Sequence, residues 1–177
     1  MLTEPIRLPR GAGTDDRDDL HHILSDLVQV SARVTRLANR VVKDPESIAT
    51  WRTLSVLQAS GAMRVGELAA LSQVAQPTMT RIVAGLVERD WIKRIADSDD
   101  ARAWQLAISS KGVSALNEWR GRLATALLPM FADLGDEDVH TLRRAIDLVR
   151  PRVTQRLADH SAQVGKESTE FHVAATH

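Results

Sequence analysis

The sequence predicts a mainly α-helical fold that carries one small β-ribbon of two or three strands. Three observations lead there. Apolar residues recur at spacings of three and four through most of the chain. That period gives way to strand-like alternation in "WIKRI" (91–95) and "AWQLAI" (103–108). Between these runs lies an acidic stretch, "ADSDDAR" (96–102), with Asp97, Asp99 and Asp100 close together and Arg102 at its end.

Bulk composition narrows the classes. The 177 residues suit one compact domain, with or without extended arms. A hydrophobic share of 44% is enough for a core. Lys plus Arg equals Asp plus Glu, so net charge argues neither for nor against a nucleic-acid partner. Cysteine is absent, which excludes disulfides, thiolate nucleophiles and cysteine-based zinc sites. No apolar run reaches bilayer-spanning length, and "MLTEPIRLPRGAG" lacks a signal-peptide core. The expectation is a soluble cytoplasmic protein without a membrane partner.

Residues 1–13, with two prolines and two glycines, read as a flexible arm. Thr14 or Asp15 can cap a helix whose first turn is acidic, as the helix dipole favours. Along it Leu20, Ile23, Leu27, Val30, Val34, Leu37 and Val41 form a heptad seam, which Leu24 and Val28 widen. Pro45 ends that pattern. A second helix is expected from about Ser47 to Ser60, with Ile48, Trp51, Leu54 and Leu57 on one face and Gly61 as its C-cap. "VGELAALSQ" predicts a short helix burying Val65, Leu68, Ala69 and Leu71. "QPTMTRIVAGLVERD" predicts another, opened by Pro77 and buried through Ile82, Val83, Leu86 and Val87. After the ribbon, Val113, Leu116, Trp119, Leu123, Leu127 and Phe131 mark a helix that Gly121 weakens and Pro129 limits. Val139, Leu142, Ile146 and Val149 mark a last one, which Pro151 should kink or stop. The tail, residues 159–177, reads as polar and disordered.

Helix, short helix, helix, two-stranded ribbon is the order of a winged helix-turn-helix. The helix opened by "QPTMTR" would enter a DNA major groove by its N-terminal end. Gln76 can bond an adenine edge, Thr78 and Thr80 can reach a phosphate or a thymine methyl, and Arg81 can grip a phosphate or a guanine. A solvated helix terminus would look the same in this stretch alone.

The surroundings favour DNA contact. From roughly Asp15 to Val153 the chain resembles the MarR family of transcriptional regulators, and "RIADSDDARAWQLAISSKG" is the most specific part. In that family an arginine opens the wing, a D-x-R unit sits at its tip, and a Leu-Thr pair and a glycine follow. Here Arg94 opens it, Asp100 and Arg102 form the unit, Ile108 and Ser109 replace Leu-Thr, and Gly112 falls at the glycine. Ala101 stands where relatives are often basic, and Ala75 where a capping hydroxyl is common. The resemblance implies DNA contacts from Gln76, Pro77, Thr78, Thr80, Arg81, Arg94 and Arg102, with Asp100 organising the wing.

It also implies a homodimer on a pseudo-palindromic operator, a repressor relieved by a small lipophilic or phenolic effector, and no cofactor. The implied domain spans 14–158: a wing and helix-turn-helix core at about 47–109, and dimerisation helices at about 15–43 and 110–158. Leu20, Ile23, Leu27, Val139, Leu142, Ile146 and Val149 are the expected dimer residues, since each seam is wider than one small domain needs; packing within the chain is the alternative. Trp51, Met63 and Trp119 are candidates for an effector pocket, against a plain core role.

Rival chemistries fit less well. A calcium loop starting at Asp97 would need glycine and glutamate where Arg102 and Ile108 stand. No histidine pair has the spacing of a helical metal site. No nucleophile elbow, phosphate loop or dinucleotide fingerprint is present, so an enzyme is not expected. The remaining alternative is a winged-helix protein-interaction module without specific DNA binding, for which arginines in the wing would be unneeded.

Overall fold

The computed structural model describes residues 14–97 and 104–174, with side chains over 17–97 and 104–156. The expected arm at 1–13 and the wing tip holding Asp99, Asp100 and Arg102 lie outside these. The chain divides after Lys43 into two compact units.

The first unit contains α1 (Thr14–Val41), 28 residues long. Of its seam residues, Leu20, Ile23, Leu27, Val30, Leu37 and Val41 are exposed and Val34 is half-buried.

The second unit holds α2 (Ile48–Ser60), α3 (Val65–Leu71), α4 (Gln76–Glu88), β1 (Ile92–Ala96), β2 (Trp104–Ile108), α5 (Ser110–Leu127), a 3-10 turn (Leu128–Phe131) and α6 (Asp136–Ala174). Ser47 caps α2 by accepting from the Thr50 N–H at 3.1 Å. Gly61, at φ +83°, closes the same helix with a bond to the Leu57 carbonyl. Ile48, expected on the buried face, is exposed; Thr50 and Thr53 are buried instead. The buried cluster takes Trp51, Leu54 and Leu57 from α2, Leu68 from α3, Met79, Val83 and Leu86 from α4, Ile92 and Leu106 from the strands, and Leu116 from α5.

β1 and β2 pair antiparallel, Ile92 opposite Ile108 and Ala96 opposite Trp104. Trp91, expected in the first strand, falls just before it, and Ala103 lies outside the described residues. Met63 adds a one-residue third strand, exchanging backbone bonds of 3.1 and 2.8 Å with Leu106. This holds the ribbon to the α2–α3 connection.

Three indoles stack in this unit. Trp51 lies 5.1 Å from Trp119 and 5.4 Å from Trp91, with ring planes inclined by 10° and 28°. Asp44 receives the Trp51 Nε1–H and the Glu46 N–H, and pairs with Arg122. Burial alone would raise the Asp44 pKa. The bonds from Arg122, Glu46 and Trp51, with the Arg122 charge, outweigh it and hold the carboxyl below its ordinary range.

α6 differs from expectation. It runs on through Pro151 to Ala174, taking in most of the tail read as disordered. Pro151 removes one backbone donor, and the Arg152 guanidinium donates to the neighbouring Leu148 carbonyl. Beyond Pro151 the sequence holds no further proline and one glycine up to Ala174, so little in it opposes the helix. Among the described residues, no helix is long and apolar enough to cross a membrane.

The start of α5 is seated on the turn that ends α4. Ser109 donates its N–H to the Trp91 carbonyl at 2.9 Å, and its hydroxyl caps Gly112 at 3.0 Å and bonds the Asp90 carbonyl. A Cβ on Gly112 would stand 2.1 Å from the Trp91 carbonyl oxygen, so only glycine fits. Gly112→Ala is expected to lower stability by about 3 kcal/mol or more, because the obstacle is backbone. A urea midpoint equal to the parent's would refute this seating.

Candidate nucleic-acid interface

Both helices of the α3–α4 pair end in the same local device. Gln73 and Asp90 adopt left-handed backbones, φ 53° and 60°. At α3 the Gln73 N–H bonds the Ala70 carbonyl and the Val74 N–H bonds that of Ala69. At α4 the Asp90 N–H bonds Val87 and the Trp91 N–H bonds Leu86. These are Schellman motifs, each with an apolar residue after the left-handed one. The first sets the angle between α3 and α4. The second turns the chain into the ribbon. Ser72, fully buried between the helices, is held through its carbonyl by Arg52 at 3.3 Å.

α4 has two unlike faces. Met79, Val83 and Leu86 are buried, Met79 and Leu86 completely. Gln76, Pro77, Thr78, Thr80 and Arg81 are all exposed. Helical spacing sets Gln76 beside Thr80 and Pro77 beside Arg81. Pro77 is the second helical residue, one later than expected, and Gln76 is the first. Ala75 offers no side-chain cap, and the first helical bond runs from the Met79 N–H to the Ala75 carbonyl. Earlier backbone N–H groups therefore face outward at the positive end of the helix dipole, where they suit phosphate oxygens. Thr80 spends its hydroxyl proton on the Gln76 carbonyl at 3.0 Å, leaving its lone pairs to accept.

The ribbon stands on an ion pair that the sequence did not disclose. Asp97, the first aspartate of the acidic stretch, has a side chain only 1% exposed. Its Oδ2 accepts from Arg64 Nε at 2.7 Å and from Gln105 Nε2 at 3.4 Å. Arg64 is the N-cap of α3, where Glu67 accepts its backbone N–H at 2.9 Å. The outer end of β1 is thus bonded to the start of the helix-turn-helix. The available signal was the spacing of Arg64 and Glu67 around a helix start; nothing nearby in the sequence pointed to Asp97.

Of the other proposed residues, Arg94 lies on β1 opposite Leu106 and is exposed. Val139, Leu142 and Ile146 are exposed on α6, and Val149 is half-buried. Trp51 and Met63 belong to the buried core and Trp119 packs against it, with Trp51 and Trp119 in the indole stack. Among the described residues, no group of three or more His, Cys, Asp or Glu side chains could hold a metal ion.

A buried helix-turn-helix followed by an antiparallel hairpin is a winged helix-turn-helix. Comparison with known proteins agrees. The family model described as MarR family matches residues 47–104. An HTH-type transcriptional regulator of Mycobacterium bovis is 30% identical over 128 residues, covering 72% of this chain and 90% of that relative. A transcriptional regulator of Thermotoga maritima superposes with a TM-score of 0.60 at 23% identity, covering 78% of this chain and 98% of that one. A mutant of Escherichia coli MarR gives 0.55 at 20% identity, covering 72% and 96%. The chain belongs to the MarR family of transcriptional regulators.

Removing the buried anchor should be measurable. Asp97→Ala is expected to lower stability by about 1–3 kcal/mol, since a charge-assisted bond is lost while the partly exposed Arg64 can rehydrate. An unchanged urea midpoint would show that the pair does not hold the wing.

Proposed function

We propose that this protein is a sequence-specific DNA-binding regulator. It acts as a homodimeric repressor on a pseudo-palindromic operator. The observation that carries the reading is the split of α4. A fully buried Met79 sits directly beneath an exposed, uncapped first turn bearing Gln76, Thr78, Thr80 and Arg81. A recognition helix needs that arrangement: a rigid underside and polar groups facing the groove. Arg94, and Arg102 at the wing, would serve the minor groove, whose negative potential attracts arginine. Asp100 would hold the wing's shape by pairing with arginine.

Two seams support the dimer. Leu20, Ile23 and Leu27 on α1, and Val139, Leu142 and Ile146 on α6, are apolar at heptad spacing and exposed in the single chain. A second copy would cover them and place two recognition helices in successive grooves. A small lipophilic or phenolic molecule that favours another spacing of those helices would release the operator. Trp119 supports such a ligand, because its buried Nε1–H has no hydrogen-bond partner among the described residues and could donate to a phenolic oxygen.

Selection of bound sites from random duplex DNA is expected to yield a palindrome. Arg81→Ala should then weaken binding to that site by about 1–3 kcal/mol. Arg102→Ala should lower the slope of log affinity against log salt by roughly one. Absence of any enriched sequence would favour a protein-interaction module instead. Sedimentation at micromolar concentration should show a dimer, and a monomer there would contradict the assignment of the seams.

A further inference from the structure

Of the four tryptophans, Trp51, Trp91 and Trp119 stack on one another. Trp104 is different: it is 60% exposed at the outer end of β2. Strand alternation explains where it points. Trp104, Leu106 and Ile108 share one face of β2, and their partners Ala96, Arg94 and Ile92 share that face of β1. At the inner end of this face Ile92 and Leu106 are buried in the core. At the outer end the core has run out, and Trp104 and Arg94 are diagonal neighbours in water. The residue directly across from Trp104 is Ala96, too small to cover an indole.

We infer that Trp104 is a DNA-contacting residue of the wing, and that its indole lies against the sugar–phosphate wall of the minor groove beside Arg94. This rests on the regulator reading above. The chemistry on both sides fits. Deoxyribose presents apolar C–H surface and phosphate presents acceptors; indole presents an apolar face and a single N–H donor. Such a contact adds affinity with little sequence preference, because sugars and phosphates carry no base information. It also gives the exposed ring a cover that the free chain does not provide.

Full-length protein and a duplex selected from random DNA supply the test. In the free protein, acrylamide should quench a tryptophan emission component that is missing in Trp104→Phe. Saturating duplex should protect that component. Trp104→Ala should weaken binding about tenfold and leave the salt slope unchanged, because no cation is lost. Arg94→Ala should lower that slope. Urea midpoints for the variants confirm that each is folded. The inference is overturned if Trp104 stays quenchable in the saturated complex, if Trp104→Ala binds as the parent does, or if that variant loses affinity only through a changed oligomeric state. A parent that binds duplex normally while Trp104 proves idle leaves the regulator reading standing. A parent that retains no duplex overturns both.

Discussion

The backbone carbonyl of Trp91 is the point on which the winged helix-turn-helix depends. It follows the left-handed Asp90 that ends α4, it precedes the first residue of β1, and it accepts the Ser109 N–H at the start of α5. Three elements are therefore fixed within one turn of chain. Hydrogen bonds position them, but the approach is possible only because Gly112 has no side chain to oppose it. The orientation of the ribbon relative to α4 follows from this junction. At its other edge the ribbon is held by Met63, and just past the outer end of β1 by the Arg64–Asp97 pair. A wing secured at three places can present its arginine and its tryptophan in a defined direction without a large core of its own.

Much of this was legible in the sequence, for a physical reason. Element type follows from local periodicity, so the switch from three-and-four spacing to alternation located the ribbon to within a residue at each end. The cap at Gly61 and the missing cap at Ala75 were equally local. What could not be read were contacts between distant positions. Asp97 showed no sign of its buried role because its partner Arg64 is 33 positions away. Pro151 looked like a helix end because a proline's local cost is visible in sequence, while a helix's tolerance of one lost hydrogen bond is not. The site residues on α4 were legible as exposed polar positions on a helix whose underside is apolar; Trp104 was not, because its neighbours alternate as any strand does.

A net charge of zero conceals a division of labour. Several cations are committed to internal pairs: Arg64 with Asp97, Arg122 with Asp44, and Arg89 with Glu46 at 2.8 Å. Arg81 and Arg94, in contrast, stand exposed on the face of α4 and the wing. A whole-chain total does not register such placement, which is why composition alone said nothing about a nucleic-acid partner.

The stacked indoles carry a consequence of another kind. Trp91, Trp51 and Trp119 come from the foot of the ribbon, from α2 and from α5, with the Arg89 guanidinium 5.3 Å above the Trp91 ring. Chromophores this close and this nearly parallel share their electronic excitations. Their near-ultraviolet optical activity therefore belongs to the column as a whole and changes with the offset between rings. The fold contains its own optical gauge of how α2, α5 and the ribbon are seated against one another, and it needs no added label.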